Sequence, residues 1–188
     1  MMTQKNAPYL FIAVLFALGA VMPFVLKQYH LNMLTEIIVF ALYAVSYNLL
    51  LGYAGLLSFG HAMFFGMGAF TVAVSLIHIP GLSMWGAIGL AIAMTTAVGF
   101  VAGGLLLRHK GSYFALLTLA FNSLFYAVAT KWHTVTGGDD GLSVTRPDLA
   151  LGFTTVSLAG IEGFYWFTLV IIGAAIVFCW YFTQTAMG

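Results

Sequence analysis

"GYAGLLSFGHAMFFGMGAF", residues 52–70, is an apolar run of the length that crosses a bilayer, yet its first ten residues hold three glycines, a serine and a histidine. Each glycine weakens a helix by roughly 1 kcal/mol relative to alanine, and Ser58 and His61 bring polar groups to the membrane. Non-helical backbone at membrane depth is tolerated only where protein or a water-filled cavity surrounds it. Gly52, Gly55, Ser58, Gly60 and His61 are therefore candidates for a helix break beside a solute path. Asn48, one turn earlier, adds an amide to that group. The competing reading is a cytoplasmic turn between two spans, with the glycines serving tight packing, His61 at the interface and Asn48 as interhelical glue.

The flanking sequence supports a membrane setting. The 188 residues are 62% hydrophobic and 6% charged, against roughly a quarter charged in a soluble domain, and the mean hydropathy is +1.04. So little polar surface cannot cover a soluble fold. A crossing helix needs about 20 apolar residues, and charges and turn residues mark off six candidate spans, at about 8–26, 34–52, 62–78, 85–107, 113–130 and 163–182. An open strand in lipid would leave backbone groups unpaired, so all six are expected to be helical. The fold class is an all-α polytopic bundle, read as one transmembrane domain over residues 1–188.

The N-terminus imitates a signal peptide, with Lys5 ahead of an apolar segment, but that segment exceeds a typical h-region and reads as a retained span. "HIPGLSM" at 78–84 is a short turn with Pro80 and Gly81 as breakers. The long polar segment is 131–162, "KWHTVTGGDDGLSVTRPDLALGFTTVSLAGIE". Cations tie across the membrane: Lys5, Arg108 and Lys110 fall on one side, Lys27, Lys131 and Arg146 on the other. The positive-inside bias acts most strongly through short loops. The compact "RHKG" (108–111) therefore places both termini in the cytoplasm and the acidic 131–162 segment outside.

Ala87, Ala91, Thr95, Gly99 and Gly103 recur every four residues along the fourth span, a ridge of small side chains that lets a neighbouring helix approach closely. "TGGDDGL" (136–142) pairs Gly137, Gly138 and Gly141 with Asp139 and Asp140. It lacks the alternating ligands and terminal glutamate of a calcium loop. It reads either as a solvated turn or as a flexible acidic external loop, a contact surface or part of a gate.

Catalytic signatures are missing. The sequence has no G-x-S-x-G, no H-E-x-x-H and no G-x-x-x-x-G-K-[ST], so no ATP hydrolysis by this chain is expected. The five histidines are dispersed and the lone Cys179 pairs with nothing, so no metal site and no bound cofactor are expected. A formal charge of +1 from six scattered cations offers no face for nucleic acid. Gradient-driven carriers place ionisable groups within their spans, and only Glu36 comes close.

"YNLLLGYAGLLSFGHAMFFGMGAF" (47–70), "RHKGSYFALLTLAF" (108–121) and "TGGDDGL", in that order, resemble the M-type membrane permease of branched-chain amino-acid ABC importers. The resemblance implies a permease paired with a second permease subunit, two cytoplasmic ATPase subunits that carry ATP and Mg, and a periplasmic solute-binding protein. It implies a multi-pass protein of the bacterial inner membrane, in contact with lipid. Urea or short-amide permeases of the same superfamily are the alternative substrate class; a channel, a carrier or a structural membrane subunit is the alternative from outside it. Family members are longer, with a cytoplasmic coupling helix expected beyond Gly188, so the chain reads as an N-terminal part.

Overall fold

The structure is a computed structural model that describes residues 7–108, 111–150 and 155–184. Lys5, the His109–Lys110 pair of the expected basic loop and the chain beyond Gln184 lie outside the described residues. Helices dominate: α1 (Ala7–Val25), α2 (Gln28–Asn48), α3 (His61–His78), α4 (Met84–Leu106), α5 (Ser112–Lys131), the one-turn α6 (His133–Thr136) and α7 (Ile161–Gln184). A π-helical turn, Leu49–Tyr53, ends α2, and a 3-10 turn, Gly138–Asp140, follows α6. Two short strands, β1 (Leu149–Ala150) and β2 (Thr155–Val156), form a two-stranded sheet.

Among the described residues, five helices are long and apolar enough to cross a membrane, and Phe16–Val25 is a shorter apolar stretch within the 19-residue α1. The second span starts earlier than the expected residue 34. Gln28, Tyr29, His30 and Asn32 look too polar for a span, but Leu31 is only 1% exposed and packs with Tyr165 and Leu169. Tertiary packing therefore extends the helix beyond the apolar run, and Leu31 N–H bonds the Lys27 carbonyl at 3.1 Å. With the π turn counted in the second span, the other helix ends agree with the expected ones within two residues, but among the described residues α1 is not one of the five crossing helices, one fewer than the six spans expected.

The chain divides into two compact units. The first comprises α1, α2 to Ser46, and α7. Its core is Leu31, Tyr165 and Leu169, with Leu34, Ile38, Ile161 and Trp166 around them. Pro23 lies inside α1 and has no N–H to give the carbonyl four residues earlier, which belongs to Gly19. The Tyr165 hydroxyl donates to that carbonyl at 2.7 Å. Gly19 permits the approach: a Cβ there would come within 3.1 Å of Leu169.

The second unit, residues 47–155, holds the π turn, α3 to α6 and the acidic segment. Ser83 caps α4 by accepting from Gly86 N–H at 3.2 Å, and Gly81 takes a positive φ of 79° in the turn before it. Ala87 and Ala91 are buried where α4 packs along α3, and a Cβ at Gly68 of α3 would stand 4.0 Å from the Thr95 methyl. A second core, Ala102, Leu106 and Phe114, with Leu56, Leu117 and Phe121 against it, joins α4 and α5 to the segment after the π turn.

Candidate functional site

Between the π turn and α3, residues 54–60 have no regular structure. The chain leaves α2 through wide turns, Ala54 N–H bonding the Leu49 carbonyl at 3.2 Å and Leu56 N–H the Leu50 carbonyl at 3.1 Å. Asn48 is exposed on the last helical turn, and a Cβ at Gly52 would come within 2.9 Å of its Oδ1, so the glycine leaves room for the amide to lie along the turn. Gly55 then takes φ +66°, a conformation that costs a side-chain-bearing residue roughly 1–2 kcal/mol. His61 opens α3, its ring meeting Tyr47 edge-on at 5.6 Å between centroids.

What holds this irregular backbone is Thr118, on the buried face of α5 and 2% exposed. Its hydroxyl accepts from Phe59 N–H at 3.0 Å and donates to the Ala115 carbonyl at 2.8 Å. Ser58, 5% exposed, accepts from Gly60 N–H at 3.2 Å. Gly60 sits directly on the α5 backbone: a Cβ there would come within 3.0 Å of the Thr118 carbonyl oxygen. Glycine at 60 and a hydroxyl at 118 are two halves of one contact. The sequence gives no special sign of Thr118, because an isolated threonine in an apolar span ordinarily bonds a carbonyl of its own helix, as Thr35, Thr71 and Thr95 do.

Two recesses border the break. One, of about 450 Å³, lies between Gly55–Phe59 and the start of α5, Gly111 to Leu116. The other, of about 170 Å³, lies behind the break among the starts of α3 and the facing parts of α4 and α5, and includes Ser58, Gly60, Gly99, Gly103 and Thr118 in its lining. The small-residue ridge thus serves two settings, with Ala87 and Ala91 buried on α3 while Gly99 and Gly103 border open space beside the break.

"TGGDDGL" is folded against the other end of α5. Thr136 is buried and donates to the Ala129 and Trp132 carbonyls at 2.6 and 2.9 Å, while Gly138 N–H reaches it at 3.3 Å. Gly137, Gly138 and Gly141 all have positive φ, and a Cβ on Gly138 would overlap the His133 ring. Asp139 and Asp140 are exposed on the 3-10 turn. The segment is at this point a tight turn, because Thr136 ties it to the helix before it. The break meets α5 at Thr118 and this turn meets it at Ala129, so at about 1.5 Å per residue they stand roughly 16 Å apart along the helix, and they do not form one site. Among the described residues no cluster of three metal-ligating side chains occurs.

Residues 29–188 match the family model described as the permease component of branched-chain amino acid transport systems. The high-affinity branched-chain amino acid transport system permease protein LivM of Escherichia coli K12 is 31% identical over 141 residues, which is 74% of this chain and 33% of that protein. The protein of the same name from Salmonella typhimurium LT2 is 30% identical over the same shares. The match spans about a third of the length of these curated relatives. No solved structure matches the chain.

Proposed function

The chain belongs to the branched-chain amino acid transport permease family, and from that membership we propose that it is part of the membrane permease of a binding-protein-dependent ABC importer for branched-chain or related apolar amino acids. The family match over residues 29–188 carries this reading. The fold adds a reason for it: non-helical backbone within a span-rich unit is costly, and here it is held open beside two recesses.

In this reading a solute-binding protein delivers a small zwitterion to the outer mouth. ATP and Mg act on two separate ATPase subunits, and a second permease subunit completes the path in the bacterial inner membrane. Nucleotide binding shifts the bundle between outward and inward openings, since a change of state needs a partner that interacts differently with the two states. The break 54–60 then serves as wall of the path, and Asn48, Ser58 and His61 are its polar groups. The turn at Gly137–Gly141 stands at the opposite mouth.

The test is reconstitution of the full-length gene product with its partner permease, ATPases and binding protein in liposomes. Leucine uptake that requires both ATP and the binding protein is expected, with urea failing to compete. Uptake of urea in preference to leucine would move the protein to the short-amide class, and binding-protein-independent flux would make it a channel or carrier.

A further inference from the structure

The recess of about 170 Å³ behind the break has a specific chemistry. Leu50, Leu56, Met63, Phe64, Leu106 and Phe121 supply its walls, and no charged side chain lines it. Its hydroxyls, Ser58 and Thr118, are already engaged with the backbone of the break and of α5. Whatever enters need bring no hydrogen-bonding group and must bring no charge.

The recess is open on one side, so it is a groove that an apolar group can enter rather than a sealed void. This chain could fill it cheaply. A Cβ at Gly103 would meet only Leu107 Cδ1, at 3.9 Å, and one at Gly99 would meet Phe64 Cε1 at 3.5 Å, both ordinary contacts. Alanine at either position would also favour the helix. The glycines keep the space open against helix propensity.

We propose that this recess is the subsite that receives the branched aliphatic side chain of the transported amino acid as it passes this subunit, an inference that rests on the importer reading above. The size fits: an apolar cavity of about 150 Å³ accommodates benzene, so a four-carbon branched group enters and a charged or much larger one does not. A hydrophobic pocket separates ligands that differ by one methylene by about 10- to 200-fold, and leucine and valine differ by one.

The experiment uses the full-length permease in its assembled transporter and compares leucine with valine, keeping the same binding protein throughout. Gly103→Val narrows the recess and is expected to raise the KM for leucine about tenfold more than that for valine. Gly104→Val, whose new side chain meets nothing within 4 Å, carries a comparable helix change and should leave the ratio unaltered. Phe121→Leu opens the recess and should admit phenylalanine, which preserves the test if the valine variant fails to assemble. Equal loss of both substrates in Gly103→Val would make the site a packing element. No change in the KM of either substrate would leave the recess to a lipid acyl chain. Either result, with the wild type active on leucine, overturns the subsite alone; a wild type inactive on leucine overturns the importer reading and the subsite with it.

Discussion

Two hydrogen bonds show how single residues repair backbone that the membrane would otherwise penalise. Pro23 deprives the Gly19 carbonyl of its helical partner, and the wholly buried Tyr165 supplies the missing donor at 2.7 Å. Tyr165→Phe should therefore destabilise the protein by about 1–2 kcal/mol, the range for a buried group left unpaired, read as a lower midpoint of thermal unfolding in detergent. Pro23→Ala returns an N–H to that carbonyl, so the double variant should recover part of the loss; a purely additive result would show that the bond is incidental. Thr118 acts on the break in the same way. Thr118→Val keeps the shape but orphans the Phe59 N–H, at a cost of about 1–3 kcal/mol, whereas Thr118→Ser keeps the acceptor. Loss of assembled protein and of uptake is expected for valine and near-normal values for serine. Equal behaviour of the two would shift the contact's importance from the hydroxyl to the methyl group. The sequence exposes the glycines of the break because their cost in a helix is local and can be read residue by residue. It hides Thr118 and Tyr165 because what they repair lies 59 and 146 residues away.

Among the elements, α3 and α4 share the most extensive helix contact of the second unit, and the periodicity of α4 marks the face involved. Ala87, Ala91, Thr95, Gly99 and Gly103 share one stripe because four residues are close to a full helical turn. The stripe does not disclose that its neighbour is α3, or that Gly99 and Gly103 border a recess; those depend on where the chain returns after the break. Gly99 faces Phe64, with 3.5 Å to an added Cβ, while Ile92 is 60% exposed. Gly99→Trp, whose indole exceeds the space beside Phe64, should therefore force Phe64 aside and lower the yield of folded complex, at a cost of about 1–3 kcal/mol for overpacking. Ile92→Leu should be neutral. Equal yields from the two variants would mean that Phe64 has room to swing away. The limits of α2 show the converse failure of sequence reading: its first turn looks polar, and only the burial of Leu31 against α7 reveals why the helix begins at Gln28.

Taken whole, the protein carries its large apolar side chains outward: Phe100 is 85% exposed, Phe24 82% and Leu116 63%. Many of its buried positions are instead small or hydroxylated, such as Ala87, Ala102, Ser75 and Thr168. A bilayer inverts the usual penalty on exposed hydrocarbon and rewards close backbone approach. That is why composition alone revealed the membrane class while leaving the packing partners unread. An expected orientation follows from one further relation. The larger recess is lined by Gly55–Phe59 and by Gly111–Leu116, so the break lies at the same end of the second unit as the turn that contains Arg108, and the acidic turn lies at the far end of α5. If the short basic turn lies inside, as the positive-inside bias predicts, the break is expected on the cytoplasmic side and Asp139 and Asp140 on the outer side. Cysteine substitutions at Ser112, Leu57 and Ser143, all exposed, test this after Cys179 is replaced by serine. An impermeant maleimide should label Ser143→Cys on intact spheroplasts, and Ser112→Cys and Leu57→Cys only after permeabilisation. If Ser112→Cys and Leu57→Cys labelled from outside and Ser143→Cys did not, the whole chain would be inverted and the break would line the outer mouth. If Leu57→Cys parted company with Ser112→Cys, the break would not share an end with the basic turn, and the recess between them would not be part of a continuous path.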